Sequence, residues 1–213
     1  MKTLLINSSF ALLLLFSSQG FALDRSELQT GDVVLLSLNC MECRMIESET
    51  DSAFSHSGVI VVDEAGVKRV AQSLGRVDHV SFADFTKNIT PKTGVAVYRP
   101  REFKFFSTFK IQNLEKSMFD IFKSKYVGAP FDSKYEWNNF NAKGEELLYC
   151  SEFIAKFLDH FLTQKTTPTL ISYVKNYAYW YKYFKGAVPE NELGNSPASF
   201  SRDDRFVFLG TIY

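Results

Sequence analysis

The chain has 213 residues, 46% of them hydrophobic and 15% aromatic, and its 24 Lys and Arg are balanced by 24 Asp and Glu. Without net charge it projects no field that would gather nucleic acid or an anionic membrane, so composition argues against both as general partners. A chain of this size normally builds one domain around a single core.

The N-terminus reads as a secretory signal peptide, residues 1–22. Lys2 supplies the positive end, residues 10–16 the apolar stretch, and Gly20-Phe21-Ala22 a small-x-small site with cleavage after Ala22. The apolar stretch is short and broken by Ser17, Ser18 and Gln19, which argues against a spanning helix. No Cys follows the cleavage site and no later segment reaches transmembrane length. Residues 23–213 are therefore expected to form one exported domain, periplasmic or secreted, with no integral membrane span.

Within that domain, Thr30-Gly31-Asp32 forms a turn into a buried strand over 33–36. Residues 39–55 are polar and irregular, a long surface loop. The run 57–62 is the strongest strand, residues 63–66 a turn, and 67–73 the returning strand of a hairpin. A short connecting element over 80–86 turns Phe82 and Phe85 inward. Residues 94–99 alternate as a strand that ends at Pro100. The period then changes: Leu114, Met118, Ile121 and Phe122 share one helical face within 107–126, and Gly128 and Pro130 stop that helix. After an aromatic, turn-rich stretch over 131–138, a second helix starts at Cys150. Its apolar face carries Phe153, Ile154, Phe157, Leu158, Phe161 and Leu162. Seven aromatic residues between Tyr173 and Phe184 either line a groove or pack on the core. Residues 186–205 read as loop and 206–213 as a terminal strand.

The chemistry concentrates at Cys150. A thiol in the first turn of a helix feels the positive end of the peptide dipoles, which favours the nucleophilic thiolate. The competing reading is an inert buried cysteine. Cys40-Met41-Glu42-Cys43 is spaced for a local disulfide, which leaves Cys150 as the unpaired thiol. Zinc would need about four ligands, and no second Cys/His pair is suitably spaced, so no metal and no cofactor are expected. A redox role for Cys40 and Cys43 is a third, weaker reading.

A cysteine nucleophile needs a base within hydrogen-bond reach and a group that orients it. His160 lies ten residues beyond Cys150 on the same helix, about 15 Å away, too far to serve. His79 follows Asp78, and this pairing with exposure accounts for it without chemistry. His56 opens the strongest strand, where a helix N-terminus can face it. A hairpin turn centred on Glu64 sets Gln72 opposite His56, with an amide oxygen able to accept an imidazole N–H. Backbone N–H groups at the start of the Cys150 helix would meet an oxyanion. Ser55, Ser57 and Ser151 are each placed to add a hydroxyl, and the sequence does not choose among them.

These segments carry a resemblance. Gly31-Asp32-Val33-Val34, Ser55-His56-Ser57-Gly58-Val59-Ile60, Gly128-x-Pro130-Phe131-Asp132 and Tyr149-Cys150-Ser151-Glu152-Phe153 occur in an order that resembles the permuted papain-like amidases of the YaeF/YiiX type. These are relatives of the NlpC-type cell-wall cysteine peptidases. The resemblance implies an α+β fold in which an antiparallel sheet packs against the helix carrying the nucleophile. It implies Cys150 as nucleophile and His56 as general base. Gln72, in Val70-Ala71-Gln72-Ser73, matches the third position, where the family usually has an acid. The activity implied is an exported cysteine amidase or peptidase acting on a small peptide or acyl-amide substrate, with peptidoglycan stem peptides as the expected source. A lipid thioesterase or acyltransferase on the same site, and a catalytically silent exported binding protein, are the rival readings.

Overall fold

The computed structural model describes residues 22–213, so the expected signal peptide lies outside the described residues except for Ala22. In chain order the main elements are β1 (Val33–Leu36), α1 (Met41–Thr50), β2 (His56–Val62), β3 (Lys68–Leu74), β4 (Arg76–Val80), α2 (Phe82–Phe85) and β5 (Val95–Pro100). They continue with α3 (Thr108–Ile121), α4 (Cys150–Leu158), β6 (Thr169–Leu170), α5 (Tyr177–Tyr183), β7 (Leu193–Gly194), α6 (Pro197–Arg202) and β8 (Phe206–Ile212). The fold is α+β. Six strands form one antiparallel sheet in the order β4-β3-β2-β1-β5-β8, and β6 pairs with β7 in a separate ribbon.

β1 lies between β2 and β5 and is buried at every position. Val33 and Leu35 join the core that holds Met118 and Phe122 with Phe153 and Phe157 of α4. Val34 and Leu36 join a second core with Leu28, Ile60, Val70 and Phe85. A strand covered on both faces has no reason to alternate, which is why residues 33–36 are continuously apolar. The turn before it is pinned by Asp32, fully buried, whose carboxylate accepts from Arg99 Nε at 2.6 Å and Nη2 at 2.8 Å and from the Gln29 N–H at 2.8 Å. Burial pushes the Asp32 carboxyl up, while this two-pronged charged pair and the backbone donor hold it down.

Four sequence expectations change. Residues 39–55 contain a ten-residue helix, α1, capped by Cys40. It has only one buried residue, Cys43, so no apolar stripe announced it. Residues 76–80 form β4, a short strand paired with β3 ahead of the four-residue α2. The helix expected over 107–126 is α-helical only to Ile121 and ends as a π turn over Phe122–Tyr126. The 186–205 segment contains β7 and α6. Among the described residues, no helix is long and apolar enough to cross a membrane.

The hairpin register also differs. Val59 faces Ala71 and Ile60 faces Val70, so the turn centres on Ala65 instead of Glu64. Continuing that register sets His56 opposite Leu74 and Gln72 opposite Gly58. The shift is two residues, one full pleat, so His56 and Gln72 remain on one face of the sheet as diagonal neighbours.

Candidate active site

α4 is placed by its own burial and by the loop that feeds it. Phe153 and Phe157 stack with ring centroids 5.7 Å apart, and Phe122 packs against both. Ahead of the helix, the Leu148 N–H donates to the Pro130 carbonyl at 2.9 Å, and Ser73 Oγ donates to the Leu148 carbonyl at 2.6 Å. These bonds tie the approach to α4 onto β3, beside the end of β2. α4 then begins with Cys150, a buried free thiol, and no side chain caps its N-terminus. Eight of its nine residues are buried, including Ser151 and Glu152, so it is a core helix and not merely an amphipathic one. It stops at Leu158, leaving Phe161 and Leu162 in the turn that follows.

His56, the first residue of β2, meets Gln72 of β3 through Nε2 and Oε1 at 2.7 Å, and both residues are buried. An amide oxygen can only accept, so this contact puts a proton on Nε2 and leaves Nδ1 for the thiol. The ring rests against Phe85, centroid to centroid 5.5 Å. Gly58 makes room for that packing: a Cβ there would come within 2.3 Å of Val70 Cγ1 and 3.0 Å of the Phe85 ring.

Cys150 lies beside His56 and Ser57, close enough for both to act on its ionisation. Burial opposes ionisation of the thiol and is the largest single influence. His56, with its positive charge, and the Ser57 hydroxyl and backbone N–H together outweigh it, and the Cys150 pKa falls below the ordinary thiol value. Burial likewise disfavours the His56 cation most strongly, yet the Cys150 hydrogen bond, the thiolate charge and the Gln72 contact raise its pKa. Both shifts favour a thiolate–imidazolium pair. Ser57, one of three serines the sequence left open, has a buried hydroxyl with no hydrogen-bond partner. Ser55 instead accepts from the Leu38 N–H, and Ser151 donates to the Asn195 carbonyl.

The other groups singled out from sequence lie apart from this chemistry. Cys40 and Cys43 are joined by a disulfide. His79 sits 3.4 Å from the Asp78 carboxylate and edge-on to Phe119 and Phe122. His160 contacts Tyr126 Oη at 3.0 Å.

Two features of the site were not read from the sequence. One is Glu152, wholly buried two residues past Cys150, whose Oε1 accepts from the Asn138 N–H at 2.9 Å and from Lys156 Nζ at 2.7 Å. Burial pushes its carboxyl up to about 7 against those donors. The other is a cavity of about 270 Å³ that opens beside Cys150, walled by α1, the 169–173 segment, Tyr135 and Trp180. Of the seven aromatics between Tyr173 and Phe184, only Tyr173 and Trp180 line it. Tyr179, Tyr183 and Phe184 pack on Trp180 behind them, Phe184 with its centroid 5.7 Å away, while Tyr177 and Tyr181 pair with each other at the surface. The aromatic density was the signal, but nothing local said which rings would face the thiol.

No family model and no curated protein matches the chain. Among solved structures, the chain is similar to the metalloprotein yiiX from Escherichia coli O157:H7, a DUF1105 protein. The TM-score is 0.69 and the identity 18%, over 87% of this chain and 98% of that one. The likeness shows a shared fold.

Proposed function

We propose that this protein is a cysteine hydrolase that cleaves an amide through an acyl-enzyme on Cys150. The observation that carries the reading is the buried chain Cys150–His56–Gln72, in which the thiol and the imidazole shift each other toward the charged pair. In the first step the thiolate attacks the substrate carbonyl carbon. The oxyanion that forms is met by the uncapped backbone N–H groups at the start of α4. The His56 imidazolium passes its Nδ1 proton to the departing amine as the C–N bond breaks, leaving a thioester on Cys150. His56 then takes a proton from water, the resulting hydroxide attacks the thioester, and the C–S bond breaks to release a carboxylate and regenerate the pair. Gln72 holds Nε2–H throughout and fixes which nitrogen faces sulfur.

The permuted papain-like arrangement belongs to the same reading. It is supported by a histidine strand that precedes the cysteine helix in the chain and by the fold shared with yiiX. Export, with a periplasmic or secreted location, is supported by the leader-like N-terminus and agrees with a disulfide between Cys40 and Cys43. The neighbour is described as a metalloprotein, but the residues here do not fit a resident metal. Among the described residues, no three His, Cys, Asp or Glu side chains converge. At the site, Cys150 and His56 stand with only an amide and a hydroxyl, too few strong donors for a closed site.

The test is intact-mass analysis of the protein mixed with activated acyl compounds and with acyl amides. A single acyl adduct that maps to Cys150 and is lost in Cys150→Ala supports the reading. Turnover that survives in Cys150→Ala contradicts it.

A further inference from the structure

We propose that Cys40 and Cys43 form a redox-active pair, which exchanges its disulfide with an incoming thiol at Cys40. This activity is separate from the Cys150 chemistry and does not rest on it.

The placement of the two sulfurs is the first argument. The pair opens α1 shortly after β1 ends, with Cys40 at the N-cap and Cys43 in the first turn. Cys40 is exposed, whereas Cys43 is only 5% exposed. In exchange, a thiolate attacks one sulfur of a disulfide and the other sulfur leaves. The difference in burial makes Cys40 the sulfur that is attacked and Cys43 the one that leaves. Met41, between them, is 63% exposed and offers an incoming partner an apolar contact beside Cys40.

The helix end is the second argument. Cys40 Sγ accepts the Cys43 N–H at 3.1 Å, one of the donors that a helix N-terminus leaves without an intrahelical partner. The same N–H and the dipole of this ten-residue helix favour a thiolate at Cys40 once the sulfur–sulfur bond is broken. A stabilised thiolate makes a disulfide easier to reduce.

The third argument is what the disulfide does not hold. Its cysteines are three positions apart, so it closes a very short loop and restrains little of the unfolded chain. It ties α1 to no other element, and α1 is fastened by other bonds. Glu47 Oε1 accepts from Ser37 Oγ at 2.7 Å, and Arg44 Nη2 donates to the Leu38 carbonyl at 2.5 Å. Glu49 Oε1 accepts from the Asn176 N–H at 2.7 Å and from Trp180 Nε1 at 3.1 Å. Arg202 Nη2 donates to the Thr50 and Asp51 carbonyls at the far end of the helix. α1 therefore keeps its anchors when the pair is reduced, as a cycling dithiol requires.

In the reaction a thiolate attacks Cys40 Sγ, the Cys40–Cys43 bond breaks, and Cys43 leaves as a thiolate that takes a proton. A second thiolate attacks the sulfur of the first, and Cys40 is released and protonated in turn. The protein gains two electrons and two protons, and the two incoming thiols depart joined as a disulfide.

The experiment equilibrates the oxidised protein with reduced and oxidised glutathione over a range of ratios, quenches with acid, and maps alkylated Cys40 and Cys43. Far-UV circular dichroism is recorded on the same mixtures. The expected result is reversible reduction of the pair by about millimolar glutathione, with the helix signal unchanged. In Cys43→Ser, oxidised glutathione should be captured and held on Cys40; in Cys40→Ser, capture on Cys43 should be at least about tenfold slower. A parallel arm with reduced thioredoxin identifies the kind of thiol. Reduction by glutathione points to a small thiol, and reduction by thioredoxin alone points to a protein dithiol. A native pair that stays oxidised against both, reduction that unfolds the protein, or equal capture on the two cysteines overturns the proposal.

Discussion

Two helices of this molecule begin at a cysteine, and their sulfurs have opposite fates. Cys40 caps α1, accepts the Cys43 N–H at 3.1 Å, lies exposed and is bonded to Cys43. Cys150 opens α4 as a buried free thiol between His56 and Ser57. Both feel the positive end of a helix dipole, a contribution of about 1 kcal/mol or less at most sites. What separates them is the partner. The α1 sulfur meets another sulfur three residues on, whereas the α4 sulfur meets an imidazole brought by a strand 94 positions earlier in the chain. A helix N-terminus is common to both sulfurs, and on the proposed reading it is the base presented to Cys150 that decides the chemistry.

The largest break in that comparison is expected from His56→Ala. It removes the base and the counter-charge from Cys150 and should lower turnover by about 10² to 10⁴, with far-UV circular dichroism unchanged. Gln72→Ala should cost about tenfold to a hundredfold, short of the roughly 10⁴ seen when an orienting carboxylate is lost. Gln72→Glu should retain or raise turnover, because a carboxylate accepts the same N–H and stabilises the imidazolium; a dead Gln72→Glu with a live Gln72→Ala would contradict the orienting role. Ser57→Ala removes a hydroxyl that helps to lower the Cys150 pKa. It should slow alkylation of Cys150 at neutral pH by about tenfold, the worth of one hydrogen bond to a charged group, and leave the rate at high pH unaltered.

The smallest effect on the sulfur belongs to Glu152, which acts on stability. Its carboxyl has an ordinary value of 4.5 and lies near 7 in the fold. Between those values the folded protein holds a proton the unfolded chain has lost, so stability falls as pH rises through that window and levels off above it. Urea denaturation across that range should show the slope, and Glu152→Gln should flatten it.

Much of this frame was legible in the sequence where periodicity was strong. β1, β2, β3, β5 and β8, and the helices starting near Ser107 and Cys150, follow from apolar runs, turns and stops. The nearness of His56 to Gln72 was legible for a more specific reason: displacing the turn centre from residue 64 to 65 slides the pairing by two and preserves the face. What escaped was set by tertiary packing. α1 has little apolar face and is held by polar bonds such as Arg44 to the Leu38 carbonyl and Glu49 to Trp180. Ser57 was indistinguishable from Ser55 until the approach of α4 selected it. The cavity is assembled from stretches spread along the chain from Ile46 to Arg202, none of which carries a pattern that names the others.

The most direct test of the Cys150–His56 pairing is the pH dependence of alkylation at Cys150, followed by peptide mapping without reduction, in the native protein and in His56→Ala. Cys40 and Cys43 should remain unlabelled in both. The native profile should show an apparent thiol pKa below the roughly 8.5 of a free cysteine, and the variant's should move above the native one. Identical profiles in the two proteins, or a native pKa above the free value, would contradict the pairing.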